Sequence, residues 1–221
     1  MLRQLPRWAW IGGGLLAFIA GMINAVGFMG FRHQAITHLT GTATLMGVAA
    51  AEGNRGELLH WALAILAFLG GAVLSGFIVQ QHTLKLGRRY GVALMVESAL
   101  LFAAVPLIHA GSDAGLYLAS IACGLQNAMA STYSGATFRT THLSGIFTDL
   151  GIYLGQRLRG LEVDHLRIQV CVLVAGSFIA GSAVGALAFG VMAERTLLVP
   201  AVMTGAIGLV YAIYRHRHLA D

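Results

Sequence analysis

The chain has 221 residues, of which 57% are hydrophobic and 10% charged, and its mean hydropathy is +0.75. A soluble domain carries about 25% charged residues, so this composition excludes a soluble enzyme, a disordered chain and a conventional nucleic-acid-binding domain. The net charge of +5 lies in short gaps between apolar segments, not on one basic face, which is how an all-α polytopic membrane protein keeps its topology signals.

Six segments are long and apolar enough to cross a bilayer core of about 20 helical residues. In chain order they are Trp8–Phe31, Leu59–Gln80, Gly91–Ala110, Ala114–Ser134, Ile168–Met192 and Thr196–Tyr214. The first follows Arg3 and Arg7 as a signal peptide would, but it runs too long and lacks a small-residue cleavage site, so it reads as a retained span. Two shorter segments, Ala35–Ala51 and Thr141–Gln156, are rich in Thr and Gly. Cys123 and Cys171 lie inside apolar segments and read as small buried hydrophobes.

Positive charge decides whether the short segments cross. Lys and Arg gather at the N-terminus (Arg3, Arg7), at Lys85, Arg88 and Arg89, at Arg157, Arg159 and Arg167, and at Arg215 and Arg217. If all eight segments spanned, the first two groups would fall on opposite sides. If the short segments enter and return on one side, all four groups become cytoplasmic, as the positive-inside rule requires. The expected topology is therefore six transmembrane helices plus two short re-entrant or broken helices, with both termini cytoplasmic.

The chain also repeats itself. Thr37-His38-Leu39-Thr40-Gly41-x-x-Thr44-x-x-Gly47 returns 104 residues later as Thr141-His142-Leu143-Ser144-Gly145-x-x-Thr148-x-x-Gly151. Gly21-Met22-Ile23-Asn24-Ala25 matches Gly124-Leu125-Gln126-Asn127-Ala128 at an offset of 103, and Phe68-x-x-Gly71 matches Phe178-x-x-Gly181 at 110. One membrane domain over residues 1–221 thus divides into repeat one, about 8–110, and repeat two, about 114–214. Three spans per copy make the second copy inverted, and such 3+3 inverted repeats with discontinuous helices recur in secondary transporters.

The runs Gln34-Ala35-Ile36-Thr37-His38-Leu39-Thr40-Gly41-Thr42, Leu86-Gly87-Arg88-Arg89-Tyr90-Gly91-Val92, Ala122-Cys123-Gly124-Leu125-Gln126-Asn127-Ala128-Met129 and Arg139-Thr140-Thr141-His142-Leu143-Ser144-Gly145 carry a resemblance over nearly the whole chain. With Thr148-Asp149-Leu150-Gly151, they resemble the YoaK-like family of bacterial integral membrane proteins, which carry a domain of unknown function. The resemblance implies a bacterial inner-membrane protein and no particular activity. Many relatives show Asp where this chain has Asn24.

The polar residues divide between binding and packing. Thr37, Thr40, Gly41, Thr44 and Gly47 would share one face of a helix, either to let a neighbour approach or to present a helix N-terminus to an anion or polar ligand. His38 and His142 occupy equivalent places and serve a ligand or proton, a structural hydrogen bond or, least suitably, a metal, since their companions are Thr and Asn. Asn24, Gln126 and Asn127 either bridge broken backbone in the short segments or coordinate substrate. Asp149 and Glu97 are the intramembrane acids and candidates for proton or ion coupling; the structural alternatives are pairs with Arg139 or Arg157 and with Arg88 or Arg89. The candidate substrate site is Asn24, His38, Thr40, Gly41, Gln126, Asn127, His142, Ser144 and Gly145, with no catalytic or metal-ligating set. Gly71-x-x-x-Ser75 and Gly181-x-x-x-Gly185 are small-residue pairs for packing within the chain, with a homo-oligomer second.

These features point to a secondary transporter or permease for a small, anionic or polar solute. A small-ion channel and a non-transporting membrane scaffold share them. An intramembrane enzyme is disfavoured, because the chain holds no HExxH, GxSxG or paired catalytic carboxylates. No P-loop or cofactor signature is present, and the expected partners are the lipid bilayer and the solute, not nucleic acid.

Overall fold

The computed structural model describes residues 7–30, 34–79, 89–134 and 139–218, and among them every regular element is helical. The helices are α1 (Arg7–Gly30), α2 (Leu39–Ala51), α3 (Arg55–Ile78), α4 (Tyr90–His109), α5 (Asp113–Tyr133), α6 (Leu143–Leu158), α7 (His165–Met192) and α8 (Leu198–His218), with a 3-10 turn, Ala193–Leu197, before α8. Arg3, Lys85 and Arg88, invoked in the charge argument, lie outside the described residues.

By length and apolar composition four stretches could cross a membrane: α1, α3, α4 and His165–Ile213. The last is one apolar run of 49 residues, broken into α7 and α8 where Ala193 takes a φ of 49°. Each expected span has a long helix over it. α3 begins earlier than its apolar run because Asn54 caps it, accepting from the Glu57 N–H at 3.2 Å. The short elements are the 13-residue α2 and the 16-residue α6, about 20 and 24 Å long at 1.5 Å per residue. Thr37, expected on the helical face, precedes α2. Its N–H goes to the Asn24 side chain instead of to a preceding carbonyl.

Two close crossings hold the bundle together. α1 packs along α7, and α3 along α5. At the first crossing, a methyl group added at Gly21 would strike the Phe178 carbonyl, and one at Gly181 would strike the Phe18 carbonyl. At the second, Gly124 lies against the Phe68 carbonyl and Gly71 against that of Ile121. Only glycine lets two helix backbones approach so closely. The residues that match in sequence at offsets of 103 and 110 therefore make one kind of contact, each copy with the other. α4 pairs with both α5 and α8; α2 lies along α3, and α6 along α7. The core runs between these layers, with Ile19, Ile23, Leu101, Ala104, Ala119, Ala122 and Leu197 fully buried.

Candidate functional site

Three helix starts are capped by a side chain, and those of α2, α4 and α6 are not. α3, α5 and α7 each have a side chain that caps the first turn: Asn54, Ser112 and Asp164 accept from the N–H groups of Glu57, Ala114 and Leu166. α2 and α6 begin at His38 and His142, and neither side chain caps its helix. The first N–H groups of a helix have no intrahelical partner. With the macrodipole they make a partial positive charge that favours an anion.

Both starts open onto one cavity of ≈ 880 Å³ lined from α1, α3, α5 and α7 as well as from the starts of α2 and α6. Its wall contains repeat-matched pairs: Asn24 and Asn127, Thr37 and Thr141, His38 and His142, Thr40 and Ser144, Phe68 and Phe178. Arg139 also lines it, and among the described lining residues none is acidic. Arg139 is exposed and forms no ion pair among the described residues.

Each imidazole folds back over the first turn of its own helix. A methyl group added at Gly41 would come 2.8 Å from His38 Nδ1, and one at Gly145 would collide with the His142 ring. The glycine three residues after each histidine is therefore the floor on which the ring lies. Gly41 and Gly145 shape the site without lining it.

The two asparagines differ. Asn24 Oδ1 accepts from the Thr37 N–H at 2.8 Å while its Nδ2 donates to the Thr37 hydroxyl, so this amide holds the turn that starts α2. Asn127, its counterpart on α5, lines the cavity with its Oδ1 buried and unpartnered. Thr44 and Thr148 spend their hydroxyls on the carbonyls of Thr40 and Ser144, at 3.0 and 2.9 Å. The residues with hydroxyls on the wall are Thr37, Thr40, Ser131, Thr141, Ser144 and Ser182, and Ser182 donates to the Gly21 carbonyl.

Of the sequence candidates, Asn24, His38, Thr40, Asn127, His142 and Ser144 share the cavity wall. Gln126 is fully buried behind it, with neither amide atom partnered. Glu97 is likewise fully buried in α4, with both oxygens unpartnered and Arg89 exposed at the helix start. Asp149 stands on the exposed side of α6, outside the lining. The sequence reading left out Arg139, Phe68, Phe178 and Ser182 as wall residues. The phenylalanines were already marked by the repeat, and Arg139 stands three residues before His142.

No curated protein and no solved structure matches the chain. One family model matches over residues 13–210, described as "Protein of unknown function (DUF1275)". The fold and cavity above are therefore those of a member: the chain belongs to the DUF1275 family.

Proposed function

We propose that this protein is a secondary transporter for small anions in the bacterial inner membrane, with the cavity between α2 and α6 as its central site. One observation carries the reading. Two helix N-termini without side-chain caps and Arg139 converge on a single cavity whose described wall has no carboxylate. An arginine fork and backbone N–H groups are the usual means of holding a carboxylate or oxyanion.

We read the architecture as a 3+3 inverted repeat of six spans with both termini cytoplasmic. The exchange of glycine–carbonyl contacts between matched residues supports it, as does the distribution of basic residues. α2 and α6 are then the discontinuous elements whose N-termini meet near the midplane, the arrangement that places a transporter's site at the repeat interface.

Proteoliposomes loaded with sulfate, phosphate or nitrate and exposed to the same labelled anion test this. The reading expects saturable counterflow of at least one of them, lost in Arg139→Gln. Flux that rises linearly without saturation would make the protein a channel, and no anion flux beside intact, folded protein would refute the transport reading.

A further inference from the structure

α4 and α5 form an antiparallel hairpin closed at Gly111, whose φ of 70° turns the chain. Gly115 sets its register, since a side chain there would meet Ile108 and the Ala104 carbonyl. Both helices advance by 3.6 residues per turn in opposite directions. The pairing therefore continues as Ala119 with Ala104, Ala122 with Leu101 and Gln126 with Glu97. The first two pairs belong to one buried cluster, and Glu97 is within electrostatic reach of Cys123, one turn before Gln126.

Glu97 and Gln126 are each 0% exposed, and all four of their polar side-chain atoms lack a partner. Native interiors leave few such atoms, and a group of them marks a missing ligand or a working site. The surroundings limit what the ligand can be. On α4, Ser98 donates to the Ala201 carbonyl at 2.8 Å, and on α8 Thr204 donates to the Pro200 carbonyl at 2.7 Å. On α5, Cys123 is fully buried one turn before Gln126. His60 of α3 is at the far end of the bundle with Asp113 and Tyr117, and Glu194 of the 3-10 turn is there with His109. Tyr90 lies towards the other end, facing Tyr211. A hard cation asks for about six oxygens, and two residues cannot supply them. A buried charge without partner or ligand is expensive. A proton meets both constraints.

We infer that Glu97 and Gln126 form a proton-binding site whose loading is coupled to anion occupancy of the central cavity. The O–H bond forms at a Glu97 oxygen as one O–H bond of a hydronium ion breaks, leaving water and a neutral carboxyl, and the acid donates to the Gln126 amide oxygen. The next residue on α5, Asn127, lines the anion cavity, so one helical step joins the two sites. The coupling rests on the transport reading above; the proton site does not.

Two measurements on the full chain in lipid test these halves separately. Infrared difference spectra over a pH titration should show a protonated carboxyl C=O band that disappears in Glu97→Gln and shifts in Gln126→Leu. Absence of that band in the wild type, or its persistence in Glu97→Gln, overturns the proton site whatever the flux does. If Glu97→Gln does not fold, the wild-type titration and the Gln126→Leu shift decide the matter. In liposomes containing a pH dye, a sulfate, phosphate or nitrate gradient should move protons in the wild type. Glu97→Gln should abolish that signal but retain anion counterflow. An unchanged pH signal in Glu97→Gln overturns the coupling. A wild type with no anion flux at all overturns both the transport reading and the coupling, with the carboxyl band still deciding the proton site.

Discussion

The starts of α2 and α6 carry nearly the same residues and are held in opposite ways. At α2, the Asn24 amide grips both the N–H and the hydroxyl of Thr37, and Gln34 donates to Thr42 at 3.0 Å. At α6, the matched Asn127 leaves its oxygen free, Thr140 is buried with its hydroxyl unpartnered, and Arg139 occupies the position matched in repeat one by Ala35. Asn24, Thr37, Asn127 and Arg139 line the same cavity. One start is thus a fixed wall and the other presents unused donors, acceptors and a cation. A duplicated motif can keep its scaffold in both copies while specialising its chemistry in one.

The largest effects should come from the scaffold, where the copies agree. Gly21→Val and Gly124→Val each drive a branched side chain into a helix carbonyl. Because backbone cannot move aside as a side chain can, each should cost more than about 3 kcal/mol and abolish monodisperse protein on size-exclusion chromatography. A severe loss at one crossing and tolerance at the other would break the equivalence of the copies.

The next effect should be one-sided. Arg139→Gln should lower anion counterflow by more than about tenfold, roughly 1.4 kcal/mol or more, and leave thermal stability nearly unchanged, because Arg139 is exposed. Equal loss of stability and flux would assign it to structure.

The asparagines sharpen the comparison further. Asn24→Ala strands the Thr37 N–H and should destabilise by about 1–3 kcal/mol. Asn127→Ala removes an amide whose oxygen has no partner and should cost less than about 1 kcal/mol. Thermal unfolding of the two variants in one detergent gives the difference. The smallest effect belongs to Gly47 and Gly151, which face open space on α2 and α6; alanine at either should change stability by no more than about 1 kcal/mol.

Much of this plan is legible in the residues. Apolar runs mark the long helices, and Gly71 and Gly181 stand in small-residue pairs that mark the crossings, whereas Gly21 and Gly124 stand out in the sequence only as matched positions of the repeat. The pairing of His38 with His142 on one wall follows from the repeat. Other features depend on three-dimensional register. Nothing in the sequence tells whether Gln126 or Asn127 looks into the cavity, because adjacent residues on a helix point about 100° apart. Asp149 shares a helical face with His142 in sequence, yet α6 turns that acid outward. The role of Gly41 and Gly145 as floors for the imidazoles appears only when each ring is seen folded over its helix.

The most direct test of the central claim, that the two short-helix starts form one anion site, is thermal stability of the purified protein in a panel of small-anion sodium salts at matched ionic strength. A bound anion at about 100 times its dissociation constant should stabilise the fold by about 2.7 kcal/mol. The account predicts such a shift for at least one of sulfate, phosphate or nitrate, and its loss in both Arg139→Gln and His142→Ala. A panel with no stabilising anion, or a shift that survives in either variant, would contradict it.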